Sequence, residues 1–136
     1  MKTILLVILS ILLVAGVAGE TGCSSSPKST DTTKIEYKNI TPEDAKKRLD
    51  ADKNIVLLDV RTAEEYAEKH IPGSMLIPVD VIETTVAQKI PDKQTTIFVY
   101  CRSGNRSVTA SESLVKLGYT DVYNLGGIID WPYEVE

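Results

Sequence analysis

Thr96-Ile97-Phe98-Val99-Tyr100-Cys101-Arg102-Ser103-Gly104-Asn105-Arg106-Ser107 is the stretch whose reading decides the fold. Its first half is short, apolar and rich in β-branched and aromatic residues, the composition of a buried strand. The run stops at Cys101. A polar loop with one glycine follows, and Val108 to Leu117 then carries a helical pattern. A strand that feeds a helix through such a loop puts the cysteine beneath backbone N–H groups that the first helical turn leaves without partners. Those donors and the positive helix end favour an anion, hence thiolate over thiol. Arg102 and Arg106 push the same way. The predicted unit is a nucleophile on the floor of a cradle with an anion site above it. An inert buried cysteine suits mid-strand better than a position followed by Arg, Ser, Gly, Asn and Arg.

Upstream, Ile55-Val56-Leu57-Leu58 is continuously apolar, as a parallel strand covered on both faces should be. It terminates in Asp59-Val60-Arg61. Thr62-Ala63-Glu64-Glu65 reads as a capping box opening a helix that closes before His70-Ile71-Pro72-Gly73. Ser74 to Ile77 is a short strand, and Val81 to Ile90 a helix with Val81, Ile82, Val86 and Ile90 as its apolar positions. Earlier still, Thr41 is an N-cap with Pro42 in the first turn, and Ala45 and Leu49 face the core. Ile35-Glu36-Tyr37 alternates like a short first strand. Downstream, Gly118 fits a helix C-terminus, Val122-Tyr123-Asn124 is a last strand, and Gly126-Gly127 breaks it.

Strands alternating with helices through short connections imply an α/β domain, a parallel sheet with helices on both faces. In such sheets ligands bind beyond the carboxyl ends of the strands. Asp59-Val60-Arg61 ends one strand and Cys101 another, so both motifs belong at one edge. Asp59 and Arg61 are expected to support the loop, by pairing locally or by meeting its backbone donors. An ionised Asp too close to Cys101 would oppose the thiolate.

Met1-Lys2-Thr3 precedes an apolar run from Ile4 to Ala18, the length of a secretory h-region and shorter than a membrane-spanning helix needs. Thr21-Gly22-Cys23 followed by Ser24-Ser25-Ser26 resembles the cleavage site of bacterial lipoproteins, in which the cysteine carries lipid and becomes the new N-terminus. Glu20 stands where an aliphatic residue is usual. Ordinary secretory cleavage near Ala18 or Gly19 and an uncleaved anchor remain open beside it. Export, to the periplasm or cell surface, is the expected localisation. Ser24 to Thr33 lacks large apolar residues and reads as a flexible tether. The net charge of −4 gives no general affinity for nucleic acid or an anionic membrane surface, so membrane association is expected only through the N-terminal anchor.

Tyr100-Cys101-Arg102-Ser103-Gly104-Asn105-Arg106-Ser107 resembles the active-site loop of the single-domain rhodaneses. Leu58-Asp59-Val60-Arg61, Glu65-Tyr66, His70-Ile71-Pro72-Gly73 and Tyr123-Asn124-Leu125-Gly126-Gly127, with Trp131 beyond, resemble that family's other signatures in the family's order. The resemblance spans about Ile35 to Trp131. With the leader and tether read above, the chain divides into a signal peptide over 1–22, a tether over 23–34 and a rhodanese-like domain over 35–136. The implied fold is a rhodanese-like three-layer sandwich around a mostly parallel sheet of about five strands. No internal repeat suggests the duplicated form of the fold.

The resemblance implies sulfur transfer through a Cys101 persulfide, from a small-molecule donor such as thiosulfate to cyanide or a thiol. Arg102, Ser103, Gly104, Asn105 and Arg106 would bind the donor, with Asp59 and Arg61 in support. A helix start disfavours a cation such as Arg106 unless an anion lies nearby. The resemblance gives His70, the only histidine, a structural role; in a Cys–His hydrolase it would be the base. One histidine and two distant cysteines make no ordinary metal site, and no cofactor is expected. A monomer is expected. Cys101, read as accessible and without a resolving partner, should oxidise readily. Two rival readings remain: phosphatase or arsenate-reductase chemistry, whose loops resemble Cys-x5-Arg and are one residue longer, and a tethered binding module without turnover.

Overall fold

The structure is a computed structural model that describes Lys34 and residues 36–136. The expectations for the signal peptide, for Cys23 and for nearly all of the tether lie outside the described residues. Five strands form one sheet: β1 (Lys38–Asn39), β2 (Val56–Asp59), β3 (Met75–Leu76), β4 (Ile97–Cys101) and β5 (Val122–Gly127). Their order is β1-β5-β4-β2-β3, and every neighbouring pair is parallel. The four α-helices among the described residues are α1 (Pro42–Ala51), α2 (Ala63–Glu68), α3 (Ile82–Lys89) and α4 (Asn105–Lys116).

Side chains alternate across the central strand, as a strand's period of two requires. Ile97, Val99 and Cys101 pack on one face with Ile82 and Val86 of α3 and Ala110 and Leu114 of α4. Phe98 and Tyr100 pack on the other with Ala45 of α1, Ile71, Leu125 and Trp131. All five β4 residues are buried. This is the three-layer α/β arrangement expected from the sequence.

Local signals act where they were read. The Thr41 hydroxyl accepts from Asp44 N–H at 3.2 Å at the start of α1. The Thr62–Glu65 capping box opens α2 in both directions, with the Glu65 N–H on Thr62 Oγ1 at 3.2 Å and the Thr62 N–H on Glu65 Oε2 at 3.0 Å. After α4, Gly118 takes φ +96°, and N–H groups of Gly118 and Tyr119 close on the carbonyls of Val115 and Leu114, a Schellman turn.

Four boundaries differ from expectation. The first strand is Lys38–Asn39, just after the alternating residues, because pairing to Tyr123 and Asn124 of β5 sets its position. Val81 is 43% exposed and ends a 3-10 turn, Val79–Val81, that precedes α3. The fourth helix begins at Asn105, three residues before the first apolar position. A first turn facing the mouth of a site has no need of apolar residues, so periodicity cannot mark it. Finally, Gly126 and Gly127 do not break β5 but belong to it. The register jumps from Val99↔Asn124 to Tyr100↔Gly126, so Leu125 is the extra residue of a bulge, and Gly126 takes φ +94° to make it.

Candidate active site

β2 and β4 are adjacent and in register at Asp59↔Tyr100, which brings Asp59-Val60-Arg61 and Cys101 to one carboxyl edge. Between the end of β4 and the start of α4 only Arg102, Ser103 and Gly104 remain as a turn. Gly104 is the N-cap residue of α4, with φ +108°, and no side-chain oxygen caps that helix. Its own N–H donates instead to Cys101 Sγ at 3.0 Å. The sulfur therefore occupies the place where a helix start accepts an anion or a capping oxygen.

Ser107, fully buried one turn into α4, locks this arrangement. Its hydroxyl donates to the Gly104 carbonyl at 2.8 Å, and the Ser111 hydroxyl donates to the Ser107 carbonyl at 2.7 Å. Burial pushes the Cys101 thiol pKa up. The N–H groups of Ser107, Gly104 and Ser103 oppose this and prevail, so the thiol lies below its ordinary value.

Cys101 is only 1% exposed, which corrects the expectation of an accessible thiol. Arg102, Ser103 and Asn105 are exposed around it, and Gly104 and Arg106 are half-buried. The same turn that supplies the donors covers the sulfur. Beneath the turn lies Gly127, paired with Cys101 across the sheet. A Cβ there would stand 2.4 Å from the Arg102 carbonyl oxygen and 2.8 Å from Ser103 Cα, so the turn can rest on β5 only over a glycine.

Asp59 and Arg61 find each other, not the loop. Asp59 Oδ1 accepts from the Arg61 N–H at 2.9 Å and from Nε at 3.0 Å, and Oδ2 accepts from Nη2 at 2.6 Å. Nη2 also donates to the Lys69 carbonyl at 2.8 Å. The pair is buried and ties the end of β2 to the end of α2. Beside it, Tyr100 Oη accepts from Ile71 N–H at 3.1 Å and donates to Ser74 Oγ at 3.0 Å. His70 stacks on Tyr66 and engages the Tyr66 carbonyl through Nδ1 at 2.9 Å and Glu136 through Nε2 at 3.3 Å. Its imidazole braces the turn in that arrangement.

Arg106, the second residue of α4, meets the anion that a cation at a helix start requires. Nη1 donates to Glu65 Oε2 at 2.7 Å and Nη2 to Oε1 at 2.8 Å. The sequence marks Glu65 as a capping residue and, with Tyr66, as part of a family signature, but not as the partner of Arg106. The cation at the head of α4 signalled a nearby anion, expected to be the sulfur donor; in the structure an acid of the chain takes that place. Ser107 has no role assigned from the sequence, whereas Gly127, expected to serve backbone geometry, does so as the floor of the turn.

A parallel sheet that ends in a donor-ringed cysteine at a helix start defines an α/β enzyme built around an activated thiol. The family model of the rhodanese-like domain matches residues 41–133. The chain is 41% identical over 73 residues to the thiosulfate sulfurtransferase PspE of Escherichia coli, a match covering 54% of this chain and 70% of that one. It is 39% identical over 93 residues to a sulfurtransferase of Allochromatium vinosum, covering 68% and 85% of the two chains. Among solved structures, a rhodanese with anions from E. coli superposes with a TM-score of 0.57 at 36% identity, covering 60% of this chain and 96% of that one. The chain belongs to the rhodanese family, and its class of activity is that of a rhodanese-type sulfurtransferase.

Proposed function

We propose that the protein moves sulfane sulfur from a small anionic donor such as thiosulfate to a nucleophilic acceptor, through a persulfide on Cys101. The observation that carries this reading is the Gly104 N–H donating to Cys101 Sγ at 3.0 Å from the head of α4. The Cys101 thiolate attacks the outer sulfur of thiosulfate, the S–S bond of the donor breaks, and sulfite leaves with the bonding pair. One negative charge remains on the terminal sulfur of the persulfide, where N–H groups of the turn can meet it. Cyanide or a thiolate then attacks that terminal sulfur and returns Cys101 as thiolate. Because the resting turn covers Sγ, donor entry requires the rim around Arg102 and Ser103 to open. The two half-reactions predict ping-pong kinetics.

The turn is also the argument for sulfur over phosphorus. Six residues run from Cys101 to Arg106, one fewer than in the Cys-x5-Arg loops of phosphatases and arsenate reductases. A smaller ring suits a single terminal sulfur better than a tetrahedral oxyanion, and a misplacement of about 1 Å can cost on the order of a hundredfold in rate. Export, with a lipid on Cys23 and the domain held outside by the 23–34 tether, belongs to the same proposal. Mass spectrometry of the mature N-terminus tests it, and an unlipidated Cys23 would remove the anchor.

Treatment with thiosulfate should add the mass of one sulfur atom to Cys101. Cys101→Ser should abolish the gain, and aryl phosphates should be barely hydrolysed. Phosphatase turnover without a persulfide overturns the reading. A protein that neither gains sulfur nor hydrolyses phosphate would be the binding module.

A further inference from the structure

The pair between Arg106 and Glu65 changes what the site can offer a donor. Arg106 lies half-exposed at the mouth, with 35% of its side chain accessible, and Glu65 beside it has 26%. Both terminal nitrogens of the guanidinium are engaged by the two carboxylate oxygens of one residue from a different helix. Glu65 Oε2 also accepts the Thr62 N–H, so the carboxylate is held from both sides. The hydrogen bonds from Arg106, first among its influences and outweighing burial, bring the Glu65 pKa down to about 2. The pair is thus fully ionised at any ordinary pH, and its two charges cancel. Arg102, exposed and in no ion pair among the described residues, is the cation left in the turn.

We propose that Glu65 is a specificity-determining residue: by engaging Arg106 it withdraws one positive charge from the mouth and favours singly charged sulfane donors, such as organic persulfides and thiosulfonates, over doubly charged thiosulfate. This rests on the sulfurtransferase reading and narrows its substrate class. Electrostatic work scales with the charge of the ligand. A unit of positive charge released at the mouth therefore acts twice as strongly, in free energy, on a dianion as on a monoanion. If the monoanion gains about threefold in affinity, the dianion gains about tenfold, and added salt shrinks both.

Glu65→Gln is the variant to make, because glutamine still fulfils the capping box and leaves α2 its start. The control is Glu64→Gln, the exposed neighbouring acid in the same helical turn. The full chain carrying Cys101→Ser, which binds without turnover, is titrated by calorimetry with thiosulfate and with methanethiosulfonate. Cys101→Ser/Glu65→Gln should bind thiosulfate about tenfold more tightly and methanethiosulfonate about threefold more tightly, with Cys101→Ser/Glu64→Gln unchanged. An equal gain for both anions, a gain matched by the Glu64 control, no change, or no measurable binding by any variant overturns the proposal. Persulfide formation by the protein with Cys101 intact is measured separately. Its absence alongside a charge-selective gain would overturn the sulfurtransferase reading while upholding the role of Glu65.

Discussion

Two arginine–carboxylate pairs stand at the same edge of the sheet, and they differ in nearly everything but chemistry. Asp59–Arg61 is made two residues apart, with side chains 0% and 3% exposed, and the arginine also takes a backbone carbonyl. Glu65–Arg106 is made 41 residues apart, between α2 and α4, and is open to solvent at the mouth of the thiol cradle. The buried pair can touch no donor. Its charges are compensated by each other, and its task is to hold the end of β2 to the end of α2. The open pair stands where an incoming anion meets it, half in water, and sets the charge that the anion encounters. Burial, rather than residue type, separates framework from function here.

The largest effects should come from the framework. Asp59→Ala leaves Arg61 charged and buried without a partner, and a loss of about 3–5 kcal/mol is expected in urea denaturation. Replacing both residues together, Asp59→Leu with Arg61→Met, should cost far less. Equal losses in the single and double variants would mean that the pair is not acting as one unit.

Next comes the floor on which the mouth rests, which touches neither pair. Gly127→Ala forces the Arg102 carbonyl away from β5. Persulfide formation should slow by on the order of a hundredfold as the donor ring moves off the sulfur. An unchanged rate would show that the close approach does not hold the turn.

Smaller effects belong to the open pair. Arg106→Ala strands Glu65 as an uncompensated anion at the mouth and should weaken thiosulfate use. Glu65→Gln with Arg106→Gln removes both charges and should retain more of it. If the double variant is no better than Arg106→Ala, the open pair is framework after all. The rate of persulfide formation against pH reads the cradle itself. The thiolate is the reactive form, so a depressed thiol pKa places the midpoint of the rate below that of an ordinary thiol. Ser107→Ala, by unlocking the turn that aims its N–H groups at the sulfur, should move the midpoint up.

The smallest effect is on stability. Glu65 has a folded pKa of about 2 against an ordinary 4.5, so its contribution is complete above 4.5 and disappears as the pH falls toward 2. Screening at a partly exposed site limits it to no more than about 1 kcal/mol. The difference in stability between the natural protein and Glu65→Gln should therefore be slight at pH 7 and absent at the acid end. A difference that persisted below pH 2 would assign it to shape rather than charge.

The sequence by itself determined the α/β class, the order of its elements, the position of Cys101 at the end of the central strand, and its company with Asp59-Val60-Arg61. Those features are written in adjacent residues: apolar runs at the period of a strand, the Thr62–Glu65 capping box, the glycine after α4, and a polar turn directly behind a cysteine. Tertiary structure alone decided that Asp59 and Arg61 satisfy each other and that Arg106 is answered by Glu65. It also decided that Gly127 is a floor and not a strand breaker, and that Cys101 is covered. Each of these depends on which atoms meet across tens of residues, through strand register, a bulge at Leu125 and the starting point of α4. A chain read one residue at a time records propensities and charges; only packing assigns them partners.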